Sequence, residues 1–169
     1  VNLQRQYGKA CVFEQPQGSP WPVFANAVST PEQAALALGC KVEGIIEVME
    51  RVLDPAAGIP PEKSAQAPWL DNTLQGEEID LWSLPIPTHG EHDGGPFITG
   101  GITVAKDPVS GRGNLSYNRM QILGKKTFGF NVNEWRHVME FYRHQEARDQ
   151  PLEIAIAMGV DPAISIAAG

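Results

Sequence analysis

The residues with the most chemical capacity lie together in the stretch Gly111-Arg-Gly-Asn-Leu-Ser-Tyr-Asn-Arg119. A glycine-flanked turn here would expose backbone amides beside the Asn114 amide, the Ser116 hydroxyl and the Arg119 guanidinium. Those groups suit a phosphate, or a carboxylate beside a metal ion. An ordinary Asn/Gly hairpin with a solvated arginine has the same composition, because Gly and Asn are the usual turn residues. Arg119 stands five positions after Asn114, which on one continuous strand would put the two on opposite faces, but a tight turn breaks that parity. Its planar fork fits a carboxylate.

His137 is the second element of this chemistry. It falls in the first turn or so of a helix that Asn133 is placed to cap. The positive end of a helix disfavours protonation, and neutral imidazole is the form that ligates metals. Asn114 through its amide oxygen, His137 through a ring nitrogen and one carboxylate would make a hard site, suited to Mg²⁺ or Mn²⁺ bridging a phosphate. His89 and His92, interleaved with Glu91 and Asp93, also invite a metal reading. Their spacing does not match the i, i+4 helical pair of a two-histidine site, and a solvated polar loop is expected there.

The elements that would hold these groups follow from the order of apolar and turn residues along the chain. Residues 10–13 and 21–28 read as two neighbouring strands, the first of them buried. Thr30, Pro31 and Gln33 form a capping box with proline at the first helical position, and Gly39 ends that helix. Val42, Ile45, Ile46, Met49, Val52 and Leu53 then recur at helical spacing, with Glu43, Glu47, Glu50 and Arg51 on the wet face. Residues 54–68 contain four prolines and read as a linker. One or two short strands are expected over 69–81, followed by an extended proline-rich run to Pro87.

From Phe97 the pattern is β: short apolar runs at 97–99, 102–105, 120–123 and 127–132, separated by glycine corners, suit a small antiparallel barrel. The helix from Asn133 would bury Trp135, Val138, Met139 and Tyr142. A last buried strand over 152–159 and a final helix capped by Asp161 with Pro162 complete the reading.

Composition narrows the function classes. The chain has 169 residues, 42% apolar and 20% charged, enough for one domain with a real core or for a large and a small unit. Thirteen basic against 20 acidic residues give a net charge of −7, which argues against nucleic acid as a partner. No run approaches the roughly 20 apolar residues of a membrane span. Two cysteines, Cys11 and Cys40, are too few for a disulfide framework and are expected as reduced thiols of a cytoplasmic protein. The polar start at Val1 and the helical run up to Gly169 suggest a segment of a longer chain.

Asn114-Leu-Ser-Tyr-Asn-Arg119, His137 eighteen positions after Arg119, and Gly159-Val-Asp-Pro-Ala163 together resemble the UbiD family. Supporting matches, in order, are Gly18-Ser19-Pro20, Pro22-Val23, Ala37-Leu38-Gly39, Leu84-Pro85-Ile86, Ile98-Thr99-Gly100-Gly101-Ile102-Thr103 and Arg119-Met120-Gln121. The resemblance implies a reversible decarboxylase of aromatic or α,β-unsaturated acids that works through a prenylated-FMN–substrate adduct. It implies that Asn114 and His137 bind Mn²⁺ or Mg²⁺ with a downstream glutamate, with K⁺ nearby. Ser116, Tyr117, Arg119 and Arg136 join Asn114 and His137 as cofactor-binding residues, and Arg119 is also the catalytic arginine between two glutamates.

The implied fold is α+β: an N-terminal α/β region with its linker, residues 1–68, leading into a flavin-reductase-like split β-barrel with flanking helices, residues 69–169. The family's glutamates would lie beyond Gly169, so the isolated chain is expected to be inactive and the full-length protein a homo-oligomer acting on a small carboxylic acid. An ordinary FMN-binding split-barrel flavoprotein and a non-catalytic assembly domain are the competing expectations.

Overall fold

Capping chemistry sets the first helix, as the computed structural model of the chain, which describes residues 8–60 and 62–169, makes plain. The Thr30 hydroxyl accepts from the Gln33 backbone N–H at 3.3 Å, and the Gln33 side chain accepts in return from the Thr30 N–H at 3.2 Å. Helix α1 runs Pro31–Ala37, and Gly39 leaves it with φ of 65°. Before it, β1 (Cys11–Phe13) and β2 (Val23–Ala25) pair antiparallel as a two-stranded ribbon. The ribbon is shorter than its sequence pattern and not buried: Val12, Phe13 and Phe24 are exposed. Both cysteines are free.

The next helix begins with a 3₁₀ turn, Val42–Gly44, and continues as α2, Ile45–Leu53. Its periodicity is helical as expected, yet Ile46, Val52 and Leu53 are exposed. The expected linker follows, its Pro61 lying outside the described residues. Where strands were expected over 69–81 the chain instead makes isolated 3₁₀ turns at Pro68–Leu70, Gly76–Glu78 and Leu81–Ser83. Side-chain capping wins locally: the Asp80 carboxylate accepts from the Trp82 N–H at 3.0 Å and turns the chain. The Leu81 N–H donates to the Lys125 carbonyl, which docks the segment on the sheet below.

That sheet has the order β3–β6–β7, formed by Phe97–Ile98, Arg119–Gly124 and Thr127–Asn131, all antiparallel. A second antiparallel sheet has the order β5–β4–β8, formed by Gly113–Tyr117, Ile102–Lys106 and Ile154–Ala157. Helix α3 (His137–Glu146) follows β7, and α4 (Pro162–Ala167) closes the chain, its first N–H groups capped by Asp161 as expected. The strand content thus matches the β reading, arranged as two three-stranded sheets.

Two small cores explain how the sheets and α3 fit. Ile98, Met120 and Ile122 form the first, with Phe130 and Ile156 packed against it. Ala105, Val138 and Phe141 form the second, again with Phe130 and with Ile154. On strand β8 the alternating residues Ile154 and Ile156 point to one face and so serve different cores. One end of that face meets the other sheet, and the other end receives α3. Gly101 sits at the meeting point, where an added Cβ would lie 2.7 Å from Ile98 Cγ2 and 3.0 Å from Ile156 Cγ2, so no larger residue fits without displacement.

The β4–β5 turn is fastened to α3 by a buried acid. Asp107 Oδ2 accepts from the Ser110 hydroxyl and N–H, and Oδ1 accepts from the Val109 N–H and lies 3.0 Å from His144 Nδ1. The Ser110 hydroxyl bond is the largest cause holding its carboxyl well below the ordinary value of 3.8, against the opposing effect of burial. A carboxylate depressed in the folded state stabilises above its unfolded value, and the contribution is lost as pH falls through the folded one. Denaturation midpoints measured from about pH 5 to about pH 2 should therefore fall more steeply in the wild type than in Asp107→Asn, the difference opening below about pH 4. Parallel curves would show that Asp107 carries no such linkage.

Candidate functional site

Asn114 lies on β5, not in the turn. The turn closes over residues 107–112, with the Asp107 N–H donating to the Arg112 carbonyl at 2.8 Å, and β5 has begun by Gly113. This corrects the turn expected over 111–119. Pairing Asn114 with Ala105 and Ser116 with Thr103 places both on the face that carries the two cores.

The other expected site residue, His137, comes from α3, and that helix starts later than its sequence indicated. Residues 133–136 form a turn, Arg136 is the N-cap without a side-chain bond, and His137 is the first helical residue. Trp135 is 89% exposed, whereas Phe141, absent from the expected apolar face, is fully buried. Packing of Val138 and Phe141 against Ala105 fixes the register of α3 and so carries His137 to Asn114. His137 Nδ1 lies 2.9 Å from Asn114 Oδ1. An amide oxygen only accepts, so Nδ1 carries the proton in this contact and Nε2 presents the lone pair.

The groups around this pair were not among the expected site residues. The His137 ring stacks on Phe141 at 6.4 Å with 14° between planes. The Arg112 guanidinium lies 5.9 Å from the centre of the same ring and 3.7 Å from the Glu140 carboxylate. Arg112 precedes Asn114 by two residues, which is the only hint the sequence offers.

Ser116 is buried, and its hydroxyl accepts from Asn118 Nδ2 at 2.8 Å. The same Asn118 amide donates to Thr103 Oγ1 at 3.1 Å, so a satisfied polar knot holds the crossing between the sheets. Asn118 was not expected to matter. The chain leaves one sheet at Tyr117 and enters the other at Arg119, so a single residue makes the crossing and face parity cannot relate Asn114 to Arg119. Tyr117 is half-buried opposite Ile102, while Arg119 is exposed at the head of β6 opposite Asn131 and makes no salt bridge among the described residues. Arg136 is exposed at the α3 N-terminus.

Donor chemistry tests the site for a metal and a phosphate. Asn114 Oδ1 and His137 Nδ1 lie 2.9 Å apart, a separation that fits two adjacent ligands of a divalent ion once the ion replaces the proton held between them. No group of three or more His, Cys, Asp and Glu side chains suited to a metal occurs among the described residues, and that includes the His89–Asp93 loop. The N–H groups of Met139 and Glu140 both turn back to the Arg136 carbonyl, and no side chain caps the helix start. A ten-residue helix opening in this way attracts an anion. The residues present therefore fit half of a metal–phosphate site.

Comparison with known proteins places these features. Residues 61–169 match UbiD, the 3-octaprenyl-4-hydroxybenzoate carboxy-lyase Rift-related domain, and residues 2–52 match the N-terminal domain of the same carboxy-lyase. The chain is 36% identical over 146 residues to an anhydromevalonate phosphate decarboxylase of Methanothermobacter thermautotrophicus, covering 86% of this chain and 33% of that protein. The UbiD-class enzyme HmfF of Pelotomaculum thermopropionicum, solved in complex with FMN, superposes with a TM-score of 0.82 at 36% identity, covering 92% of this chain and 35% of that one. The 3,4-dihydroxybenzoic acid decarboxylase AroY of Klebsiella pneumoniae superposes at 0.71 with 30% identity, covering 92% and 33%. The chain thus spans about a third of the length of these relatives. No helix among the described residues is long and apolar enough to cross a membrane.

Proposed function

Because the chain belongs to the UbiD family, we propose that the protein carrying it is a decarboxylase of small aromatic or α,β-unsaturated carboxylic acids, and that this segment holds its cofactor. The observation that carries this reading is the meeting of Asn114 and His137, 2.9 Å apart, at the uncapped start of α3. In this reading the two β-sheets are the halves of a split barrel. Asn114 Oδ1 and a His137 ring nitrogen would hold Mn²⁺ or Mg²⁺, with K⁺ close by, and the ion would supply positive charge for the phosphate of prenylated FMN. Arg136, Ser116 and Tyr117 bound the same region, Ser116 through the backbone its buried side chain fixes.

Prenylated FMN, when bound, supplies the electron sink for the pair left as CO₂ departs. The chain's own residues do the rest. Arg119 offers a permanent charge with a planar fork, which orients the substrate carboxylate and holds it next to the acids that move protons. Asn114 and His137 fix the cofactor's position relative to Arg119, because both are anchored on packed elements rather than on a free loop. Two free cysteines agree with a cytoplasmic setting, and a homo-oligomer of the full-length protein belongs to the same proposal.

The test uses the full-length protein reconstituted with prenylated FMN and Mn²⁺. It should release CO₂ from an aromatic or enoic acid. Asn114→Ala and His137→Ala should each weaken Mn²⁺-dependent cofactor retention by at least about 100-fold, since even outer-shell changes cost 10- to 100-fold. Retention of FMN by both variants without metal dependence would identify an ordinary flavoprotein instead.

A further inference from the structure

The polar loop over residues 88–96 is fastened to one face of the β3–β6–β7 sheet, and it is the face that carries Arg119. Hydrogen bonds within the loop and to the sheet hold it, among them the Ile122 N–H donating to the Pro96 carbonyl at 3.0 Å. The Phe97 N–H donates to the Pro87 carbonyl at 3.2 Å, closing the loop at its base. The Gly90 N–H donates to the Asp93 carboxylate at 2.8 Å, and Gln121 Nε2 donates to the Gly94 carbonyl at 2.8 Å. His89 Nε2 lies 3.2 Å from Thr99 Oγ1. Packing is close at the Gln121 tether, where a Cβ on Gly94 would stand 3.1 Å from Gln121 Nε2.

Strand register tells where His89 is brought. Phe97 pairs with Gln121 and Ile98 with Met120, so the next step of the same antiparallel register sets Thr99 across from Arg119. Ile98 and Met120 are buried in the core, and side chains alternate along a strand, so Thr99, Arg119 and Gln121 share the opposite face. Asn131, paired with Arg119 from the other side, lies on that face too. His89 and Arg119 are both exposed, and neither forms a salt bridge among the described residues.

We propose that His89, held by Thr99, is a second recognition residue for the substrate carboxylate, working beside Arg119. This rests on the decarboxylase reading above. With the Thr99 hydroxyl donating to Nε2, the ring proton sits on Nδ1 and is offered to the ligand. A carboxylate has about four lone-pair positions, and an arginine fork occupies two of them, so a second donor finds a free place on the same group. The ligand class is a small organic monocarboxylate whose charge is read by Arg119 on β6 and by His89 on the tethered loop.

The test is equilibrium binding of benzoate and benzamide to the full-length holoprotein, in the wild type, His89→Ala, His89→Gln and Thr99→Val. The wild type should prefer benzoate. His89→Ala should lose about tenfold or more for benzoate and little for benzamide, since a hydrogen bond to a charged group has at least that weight. His89→Gln, which keeps a donor, should recover part of the preference, and Thr99→Val should lose part of it. Equal weakening of both probes, or an unchanged preference in His89→Ala, would overturn the proposal, as would a wild type that binds both probes alike. Preference lost in His89→Ala while the wild type releases no CO₂ from any aromatic or enoic acid would sustain the carboxylate site and sink the decarboxylase reading.

Discussion

Arg119→Ala in the full-length protein is expected to lower kcat/KM, per cofactor bound, by about 10²- to 10⁴-fold, the range seen when a group that organises charge and proton transfer is removed. Arg119 is well placed for such an effect. It opens β6 immediately after the chain crosses between sheets at Asn118, whose buried amide is bonded to Ser116 and Thr103. Its backbone is thus fixed on both sides, while its side chain is exposed and unpaired by any described acid. Arg119→Lys should restore little, because a point charge does not reproduce a planar fork. Steady-state CO₂ release, with cofactor absorbance measured on the same samples, checks both variants. A variant with wild-type kcat/KM would remove Arg119 from the reaction.

Phe141→Ala is expected to destabilise the chain by about 3–5 kcal/mol, a large share of the 5–15 kcal/mol that holds a typical domain. Phe141 is wholly buried and joins Ala105 and Val138 in the core between α3 and the β5–β4–β8 sheet. Its ring also stacks on His137 and lies under the Arg112 guanidinium. Truncation therefore opens a cavity in the contact that brings His137 to Asn114. Phe141→Leu, which keeps most of the volume, should cost much less. Urea midpoints give the stability term, and Mn²⁺ affinity of the full-length protein gives the positional one. An unchanged midpoint in Phe141→Ala would show that α3 is held by other contacts.

The contrast between α1 and α3 shows which parts of the fold were legible. Thr30 and Gln33 define α1 through bonds across three residues, and Asp161 with Pro162 opens α4 in the same local way. Asn133 carries an equally good capping identity, yet α3 starts at His137. Burial of Phe141 and Val138 against strand β4 outweighs one cap, so the helix takes the register that serves the core. The segment 69–81 failed for the opposite reason. Its alternation suggested strands, but no strand among the described residues pairs with it, and the Asp80 side chain turns the backbone instead.

The sequence by itself determined the identity of the chemical groups, the β character after Phe97, the two capped helices and, through ordered motifs, the family. All of these depend on residue type or on neighbours a few positions apart. Only the tertiary structure decided that Asn114 and His137, 23 positions apart, touch, that Ser116 is spent on Asn118, and that a loop histidine is tied to the strand beside Arg119. Those outcomes depend on which faces pack together, and packing is settled by the whole chain's burial of apolar surface rather than by any short stretch of it.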